Sequence, residues 1–474
     1  MAGTVSVVGS RNDLAGLARR FLRSQWETGD GGCGLKWWGH EWWAWAGGRW
    51  RRMDAERVED AVKLWLSDDV RVERDSGLHR LMPEAKHVVG VMSYLRALCA
   101  EHVRGQPGWL EDDKEDKWPA DRVIAFRDRV VVVRRREGEE GWEWVDAGDT
   151  SAAWFDSGCV ECMWRPDAQC GGWERFLGEV MGGDGGLVRL LQQWFGYCML
   201  SADTSRQRML MLHGVVRGGK GTIARVLRGL LGEDRYHSVT AKEVVKGFHV
   251  REMATSRLVS FEDLNRPSEA TVRRTMMELL KLIVGEGSTY ADIKHKSGDR
   301  NLRIRAKVMV CSNELDCLTD ENQGLSAKLM IIPMDVSFLG RENLTLDKEL
   351  SAEVEGIAAW GVRGAVDLCE HGFVIPERAQ ERHGEFVLRG NPTLAWIRAR
   401  CVADPEGWAP TGEMYVDYLA WWAGVSEGGK PMDRPRFCDA VKYHSGLSLR
   451  RVRRRVDGVR SWGYEGLRLD AHRG

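Results

Sequence analysis

Between about residues 170 and 345, short apolar runs alternate with amphipathic segments along the chain. Residues 209–212, 258–261 and 307–311 are predominantly apolar, as expected for strands of a parallel sheet that is buried on both faces. After the first run, apolar residues recur at helical spacing at Ile223, Val226, Leu227, Leu230 and Leu231. Gly232 follows and can end this helix. The alternation of strands and helices predicts an α/β domain.

The segments on either side of this domain follow other patterns. The first part of the chain combines a tryptophan-rich hairpin, a helix around residues 58–66 and a strand at 130–133, with a solvated turn expected at 134–140. Residues 346–385 have a helical pattern, and two helices followed by a hairpin near the end predict a winged-helix-like fold. We therefore predict a mixed α+β N-terminal domain (1–165), the α/β core (166–345), a helical connector (346–388) and a basic winged-helix-like domain (389–474).

Composition narrows the class of protein without indicating a ligand. The 474 residues are 43% hydrophobic and 29% charged, which suits a globular protein of several domains. The 69 Lys and Arg residues balance the 70 Asp and Glu residues, so any argument for nucleic acid must rest on local clusters. The start of the chain lacks the pattern of a secretory signal, and no apolar run approaches 18 residues. We therefore expect a cytoplasmic protein with no membrane partner.

The cysteines allow two interpretations. The odd number of 11, scattered along the chain, favours free thiols in a reducing cytoplasm. Cys159, Cys162 and Cys170 contain a Cys-x-x-Cys pair and one further cysteine, so a zinc site is an alternative. No second Cys-x-x-Cys or His pair lies nearby, which argues against zinc.

Six of the 22 tryptophans lie between residues 37 and 50. Residues 41–45 and 49–51 flank a turn that contains Gly47 and Gly48, which predicts a β-hairpin. Indoles between arginines can stack on nucleic-acid bases. Cross-strand packing inside a small domain explains them as well, and the sequence favours packing over stacking.

A phosphate-binding motif provides the main chemical signal. The apolar run at 209–212 leads into Gly-x-x-x-x-Gly-Lys, and a helical pattern follows it, which is the context that a P-loop requires. Glycine backbone amides and the helix N-terminus would bind phosphates, Lys220 would bridge the β and γ phosphates, and Thr222 would approach Mg²⁺. The hydroxyl comes one position later than usual, because Gly221 follows the lysine. The predicted nucleotide-binding residues are Gly214, Gly218, Gly219, Lys220, Gly221 and Thr222.

Polar residues follow the other two strands of the predicted sheet. Glu262 and Asp263 come 42 residues after Lys220 and suit a Walker B site, in which one carboxylate binds Mg²⁺ and the other polarises water. For the metal we assign Thr222 and Asp263, and the division of work between the two carboxylates stays open. Asn313 ends the third strand and can sense the γ-phosphate. Solvated turns are the alternative explanation for both segments.

Two segments concentrate basic residues. Residues 290–305 hold six basic residues against two acidic ones, which indicates either a DNA-gripping hairpin or a solvated loop. Between residues 434 and 474, eleven Lys and Arg residues stand against four acids. This local excess predicts binding of duplex or origin DNA, with a solvated basic face as the alternative. The candidate DNA-binding residues of this second segment are Arg450, Arg451, Arg453, Arg454 and Arg455.

Taken in order, these motifs resemble the phage and plasmid primase–helicase family, whose motor is a superfamily 3 helicase with an AAA+-type P-loop core. The P-loop at 219–223 is similar to the Walker A motif of this family, 261–263 to Walker B, and 312–315 to motif C. Further segments that resemble the family are 164–168 before the core and 337–343 and 356–360 after it. No single motif is specific, but their order and spacing are, and the resemblance covers most of the chain.

The resemblance implies an ATP- and Mg²⁺-dependent DNA helicase that acts as a homo-hexameric ring in the cytoplasm of a bacterial host. It implies single-stranded and forked DNA as partners, a pore hairpin at Lys294, His295 and Lys296, and a separate primase or polymerase, because residues 1–165 show no convincing primase site. Many relatives have arginine at the positions of Ile293 and Lys328. Lys328 would replace the arginine finger. A lysine supplies positive charge there but lacks the bidentate fork of an arginine. Asp316 likewise replaces a proline that relatives often carry.

Two other functions remain open from the sequence. A replication initiator would bind ATP and DNA but unwind poorly, and the substitutions at 293 and 328 favour it. A nucleotide kinase is suggested by Gly-Lys-Gly-Thr at 219–222, but the basic C-terminal domain argues against it.

Overall fold

The structure is a computed structural model. It describes residues 6–8, 10, 12–29, 31–74, 77–101, 107–245, 253, 255–266, 269–285, 288–289, 302–318, 324–425, 431–444, 448–456 and 458–470. The chain forms two compact units: Met1–Glu314 with Lys328–Ala379, and Leu315–Ala327 with Gln380–Gly474. Within the described residues, no helix is both long enough and apolar enough to cross a membrane.

The first hundred residues form helices packed against two small sheets. The helices are α1 (Leu14–Gln25), α2 (Ala55–Asp68) and α3 (Ala85–Leu98). The strands are β1 (Ser6–Val8), β2 (Leu35–Trp38), β3 (Glu41–Ala46), β4 (Arg49–Met53), β5 (Val70–Arg74) and β6 (Gly77–Arg80). The two sheets have the orders β1-β5-β6 and β2-β3-β4, so the tryptophan-rich hairpin has a third strand that the sequence did not predict.

The tryptophan-rich hairpin uses its indoles for packing. Trp42, Trp43 and Trp50 are buried, and the ring centroids of Trp43 and Trp50 lie 5.9 and 5.4 Å from that of Phe155. The Trp50 indole N–H donates to the Ala152 carbonyl at 3.2 Å, which satisfies its polar edge inside the core. For these three tryptophans the structure supports packing, one of the two alternatives that the sequence left open.

A second group of short elements lies between residues 107 and 156. Its elements are β7 (Gly108–Trp109), α4 (Asp112–Lys117), β8 (Val123–Ala125), β9 (Arg129–Arg135), β10 (Trp142–Asp149) and β11 (Trp154–Phe155). Strands β8, β9 and β10 form one antiparallel sheet. The turn expected at 134–140 is shorter than predicted, because Arg134 and Arg135 still pair with Glu143 and Trp142.

The centre of the chain is an α/β domain around a parallel sheet, as predicted. The strands are β12 (Met209–Gly214), β13 (Tyr236–Ser238), β14 (Leu258–Phe261), β17 (Lys307–Ser312) and β18 (Leu329–Met334), in the order β13-β14-β17-β12-β18. The associated helices are α5 (Gly171–Val180), α6 (Gly185–Met199), α7 (Lys220–Leu231), α8 (Ala241–Val245) and α9 (Ala270–Val284). Two-residue strands β15 (Ser288–Thr289) and β16 (Leu302–Arg303) pair antiparallel.

Burial on both faces explains why these strands form a central sheet. Every residue of β14, β17 and β18 is buried, which matches their nearly continuous apolar runs. The sheet is flanked by amphipathic helices, and α7 buries Ile223, Leu227 and Leu230 in the common core. Helices α10 (Leu346–Ala352), α11 (Val354–His371) and α12 (Glu377–Gly390) follow, so the predicted helical stretch is interrupted around Glu353 and after Gly372.

The last part of the chain has its own small core. Its elements are α13 (Pro392–Arg400), β19 (Cys401–Pro410), α14 (Thr411–Val425), α15 (Arg434–His444), β20 (Arg450–Val456) and β21 (Val459–Leu469). The three strands form an antiparallel sheet in the order β19-β21-β20. Tyr418 and Phe437 stack in its interior with their ring centroids 4.6 Å apart, and Trp396 contacts both rings edge to face. Two helices followed by a hairpin are present near the end of the chain, as predicted.

Candidate nucleotide-binding site

The loop between β12 and α7 has a backbone that glycine alone fits at two points. A Cβ on Gly214 would lie 2.0 Å from the Met334 carbonyl oxygen, because β18 passes directly beside it. Gly219 has a φ of 90° and accepts hydrogen bonds from the Thr222 and Ile223 amides, both at 3.1 Å, at the start of α7. The predicted strand, glycine loop and helix therefore occur together, and the helix N-terminus opens toward the loop.

Lys220 is the central polar group of this loop. Its side chain is 7% exposed, and its ammonium donates to the Gly214 and Val215 carbonyls at 3.0 and 2.7 Å and to Asn313 Oδ1 at 2.6 Å. Burial lowers the pKa of Lys220, while the nearby Cys311 and Asp263 oppose that shift. All three hydrogen-bond acceptors are neutral, so the buried positive charge can still attract an anion to the loop.

Glu262 and Asp263 lie directly after β14, at the same edge of the sheet. Both residues are exposed, and Asp263 has a φ of 53°, a conformation that non-glycine residues rarely adopt. Glu262 Oε1 accepts a hydrogen bond of 2.9 Å from the hydroxyl of Tyr236 on the neighbouring strand β13. Burial raises the pKa of Tyr236, so its hydroxyl stays a donor at neutral pH. The sequence did not suggest Tyr236, because nothing in the pattern indicates which strand neighbours β14.

The strand order explains how these groups meet. β17 lies between β12 and β14, and the carboxyl ends of all three parallel strands lie at the same edge. This arrangement brings Asn313, at the end of β17, against Lys220, although 93 residues separate them in the sequence. The three polar strand ends predicted from sequence therefore belong to one site.

A cavity of about 670 Å³ joins these residues. Its lining includes Lys220, Thr222, Glu262, Asp263 and Asn313 together with Gly218, Gly219 and Gly221. Its volume lies within the range of small-ligand pockets, which is about 300–1,000 Å³. Carboxylates beside a hydroxyl provide the oxygen ligands that Mg²⁺ prefers, and the loop and lysine suit a polyphosphate.

The sequence did not predict which residues form the other wall of the cavity. It comes from α5 and from the segment between β18 and α10, and it includes Phe176, Glu179, Phe338 and Arg341. The Arg341 guanidinium lies 5.1 Å from the centre of the Phe338 ring. Thr222 Oγ1 accepts a hydrogen bond of 3.1 Å from Arg225, whose guanidinium also pairs with Asp347 at 3.0 Å. Phe338 and Arg341 belong to the segment 337–343 that resembles the family, but the sequence did not indicate that this segment and α5 face the P-loop.

Other candidate residues lie elsewhere. Lys328 is next to the amino end of β18, and its ammonium donates to Gln207 Oε1 at 2.9 Å. Lys294, His295 and Lys296 lie outside the described residues, as does Ile293. The candidate DNA-binding arginines Arg450, Arg451, Arg453, Arg454 and Arg455 lie on β20 in the other compact unit.

Cys159, Cys162 and Cys170 are buried free thiols in this structure. Burial raises the pKa of Cys162 to about 12 and that of Cys170 to about 11, which disfavours the thiolate that zinc requires. Within the described residues, no group of three His, Cys, Asp or Glu side chains is arranged to hold a metal ion.

Comparison with known proteins gives a match of family and a match of fold. Residues 212–325, which contain most of the candidate site, match a family described as a family of unknown function, DUF5906. No curated protein matches the sequence. The fold resembles the A-form apo structure of the C-terminal region of NrS-1, with a TM-score of 0.52 and 11% identity over 96% of this chain and 100% of that chain. A second apo structure of the NrS-1 C-terminal region matches with a TM-score of 0.53 and 10% identity, over 95% of this chain and 99% of that chain. At these identities the likeness concerns the fold alone.

Proposed function

We propose that the chain is an ATP-dependent DNA helicase of superfamily 3, with an AAA+-type P-loop core, that acts in the replication of a phage, plasmid or integrated element. The observation that carries this proposal is the buried Lys220 ammonium, bonded to Asn313 in a cavity that Glu262 and Asp263 also line. The motif order that resembles the primase–helicase family supports a role in replication. The fold shared with the NrS-1 C-terminal region extends over nearly the whole chain, so this support is not limited to the P-loop segment.

Each residue of the cavity has a distinct part in the proposed hydrolysis of ATP. Backbone amides of Gly218, Gly219 and Gly221 and the Lys220 ammonium bind the phosphates. Thr222 and Asp263 would hold Mg²⁺, which would supply positive charge to neutralise the phosphates. Glu262 accepts a proton from the attacking water, and Tyr236 holds its carboxylate in place.

Asn313 responds to the γ-phosphate through its contact with Lys220. A γ-phosphate on the Lys220 ammonium competes with Asn313 Oδ1 for that donor. The hydrogen bond at the end of β17 therefore changes when the phosphate is bound or released. Catalysis of this type is mainly the placement of charge around a loose transition state.

The position of Lys328 fits a ring of subunits. Lys328 is next to the end of β18 opposite the P-loop, and five residues at about 3.3 Å each separate the two ends of that strand by roughly 17 Å. Lys328 therefore does not reach the nucleotide of its own chain. We propose that it contacts the γ-phosphate of a neighbouring subunit in a homo-hexamer, with Lys294, His295 and Lys296 facing DNA in the pore.

The test is unwinding of a forked DNA with ATP and Mg²⁺, using tails of both polarities. Wild type should separate strands, whereas Lys220→Ala should lose ATP binding and unwinding, and Glu262→Gln should bind ATP but hydrolyse it slowly. Lys86→Ala, which removes an exposed lysine paired with Glu84, is the control and should behave as wild type. Hydrolysis or strand separation that survives Lys220→Ala would refute the proposed site.

A second function is favoured by one observation. A lysine at position 328 supplies charge without the bidentate fork of an arginine, which suits a replication initiator that binds ATP and DNA but unwinds poorly. An initiator predicts site-specific DNA binding that persists in Lys220→Ala, and no strand separation by wild type. Lys328→Arg would then be expected to raise ATP hydrolysis.

A further inference from the structure

The hairpin of β20 and β21 carries its charges unequally on two faces. Residues two apart on a strand share a face, and directly opposed residues on the two strands share it as well. The register therefore defines an acid-paired face that contains Arg450, Arg454 and Glu465. It also defines an open face that contains Arg451, Arg453, Arg455, Arg460 and Trp462, and that meets the core at the buried Tyr464.

On the acid-paired face, both arginines pair with the single carboxylate of Glu465, so this face keeps a net charge of +1 against +4 on the open face. Arg450 and Arg454 lie 2.5 and 2.6 Å from the two carboxylate oxygens of Glu465. Hydrogen bonds from Arg450 and then Arg454 lower the pKa of Glu465, so the carboxylate remains charged at neutral pH. An approaching phosphate would have to compete with this carboxylate for the same N–H groups.

The open face has no such compensation. Within the described residues, none of its four arginines forms an ion pair with a carboxylate. Arg455 and Arg460 are directly opposite each other, with Arg453 next on the same face. Like charges in direct opposition destabilise a pair of strands, so a bound anion would relieve repulsion at this end of the hairpin.

Trp462 arranges two of these arginines. The guanidinium groups of Arg451 and Arg453 lie 5.1 and 5.8 Å from the centre of its ring. Trp462 as a residue is 46% exposed. A guanidinium that stacks on an indole keeps its N–H groups in its own plane, where they can still donate to a phosphate in a bidentate manner. The indole therefore limits the motion of both side chains without using their donors.

The open face continues into a groove of about 1,100 Å³. The basic and aromatic part of its lining consists of Arg434, Arg451, Arg460 and Trp462. Glu413, Asp417 and Asp439 also line the groove. Asp417 is already bound by Arg400 at 2.8 Å and by the Trp396 indole at 2.7 Å, so its charge is compensated.

We propose that the open face binds the phosphate backbone of duplex DNA, that Trp462 positions its arginines, and that Arg450 and Arg454 contribute less. The proposal deepens the DNA-dependent function proposed above by assigning one surface to the duplex. Alternate residues on β20 are about 6.6–6.8 Å apart, and a fixed row of donors matches the fixed phosphates of a duplex better than a flexible single strand. Because guanidinium groups cover part of the indole, Trp462 is a poor platform for an unpaired base.

The test compares two double variants of the full chain that remove the same charge from the same strand. Binding to a labelled duplex of 20 base pairs is measured without nucleotide at several salt concentrations. Arg453→Gln with Arg455→Gln should weaken binding about tenfold or more and reduce the slope of log K against log salt by about two. Arg450→Gln with Arg454→Gln should weaken binding clearly less than that, because these two guanidinium groups already share the carboxylate of Glu465. Equal losses in the two double variants, or a larger loss on the acid-paired face, would overturn the proposal.

Trp462 requires a separate readout. Trp462→Ala should weaken duplex binding several-fold with an unchanged salt slope, because no charge is lost. Trp462→Phe keeps an aromatic ring and should retain most of the wild-type affinity. A parallel series with a 20-nucleotide single strand identifies the ligand, and preferential loss of single-strand binding in Trp462→Ala would contradict the assignment to duplex. Thermal unfolding of each variant checks the fold. Since no nucleotide is present, failure of the ATPase proposal would show instead in Lys220→Ala and would leave these results unaffected.

Discussion

A buried ion cluster at the amino ends of the central strands gives the sharpest test of how the fold is stabilised. Asp156 is 1% exposed and forms ion pairs with both Arg235 and Arg257, which are 5% and 3% exposed. Burial acts to raise the pKa of Asp156, but the two arginines outweigh it and hold that pKa below its usual value. Arg257 also donates to the Met199 carbonyl and to Ser201 Oγ at 3.1 and 3.0 Å.

Asp156→Asn would leave two buried arginines without a counter-charge. The asparagine side chain has nearly the same volume as the aspartate, so the packing around it would hardly change. Removal of one partner from a buried ion pair costs about 3–5 kcal/mol in the free energy of unfolding, since the remaining charge stays desolvated. The entropy of unfolding is about 2.1 cal/mol/K per residue, so a unit of about 370 residues loses roughly 4–6 °C in its melting temperature. The carboxyl ends of the same strands should remain intact, because the cluster lies at the opposite edge of the sheet.

Calorimetry and urea unfolding at pH 7 measure this effect. Asp149→Asn provides a matched control, since its carboxylate pairs with Arg129 at 3.0 Å but is 84% exposed and should contribute less than about 1 kcal/mol. If Asp156→Asn lowers the melting temperature no more than Asp149→Asn does, the desolvation argument is wrong for this cluster. Loss of nucleotide binding at a temperature where the variant is folded would contradict the separation of the two strand ends.

Three further predictions concern the site and its surroundings. Tyr236→Phe removes the 2.9 Å hydrogen bond to Glu262, and hydrogen bonds to charged groups contribute about 1.5–3 kcal/mol. The kcat for ATP hydrolysis should therefore fall about ten- to hundredfold with KM nearly unchanged. An unaltered kcat would exclude a role of Tyr236 in holding the Glu262 carboxylate. Gly219→Ala, at a φ of 90° and with its Cβ 2.9 Å from Val180 Cγ1, should weaken binding of a fluorescent ATP analogue at least about tenfold. Gly229→Ala, within α7 and with open space at Cβ, should leave that binding unchanged and stabilise the protein by about 0.5–1 kcal/mol. Burial lowers the pKa of Lys307 to about 8, so between about pH 8 and 10 this lysine binds more protons in the unfolded chain than in the folded one. The urea midpoint of wild type, relative to that of Lys307→Met, should therefore rise with pH across that window. A constant difference between the two midpoints would show that Lys307 titrates normally.

Local patterns predicted the glycine loop, and its strand and helix are present in the structure. The spacing from Gly214 to Lys220 and the helical repeat after it lie within about twenty residues, so no knowledge of distant neighbours is required. The contact between Lys220 and Asn313 depends instead on β17 lying beside β12. Periodicity identifies strands but does not order them, which is why Tyr236 was not connected with Glu262.

Register set the second limit on prediction from sequence. The hairpin at the end of the chain was predicted from the sequence, with five arginines between residues 450 and 455. Which arginines face Glu465 depends on the exact pairing of β20 with β21, and a shift of one residue would exchange the two faces. Similarly, the third strand β2 of the tryptophan-rich sheet is short, and its pairing with β3 was not evident from composition.

The order of strands in the central sheet also bears on how the protein is synthesised. Strand β12 pairs on both sides with strands that come later, and β18 ends about 120 residues after β12 does. At 5–20 residues per second, a ribosome needs about 6–24 s to produce that interval, and for most of it both edges of the largely apolar strand β12 lack their partners. Such distant pairing slows folding and exposes the nascent chain to aggregation. We therefore expect the yield of folded protein to rise when translation is slowed or chaperones that shield nascent apolar segments are abundant.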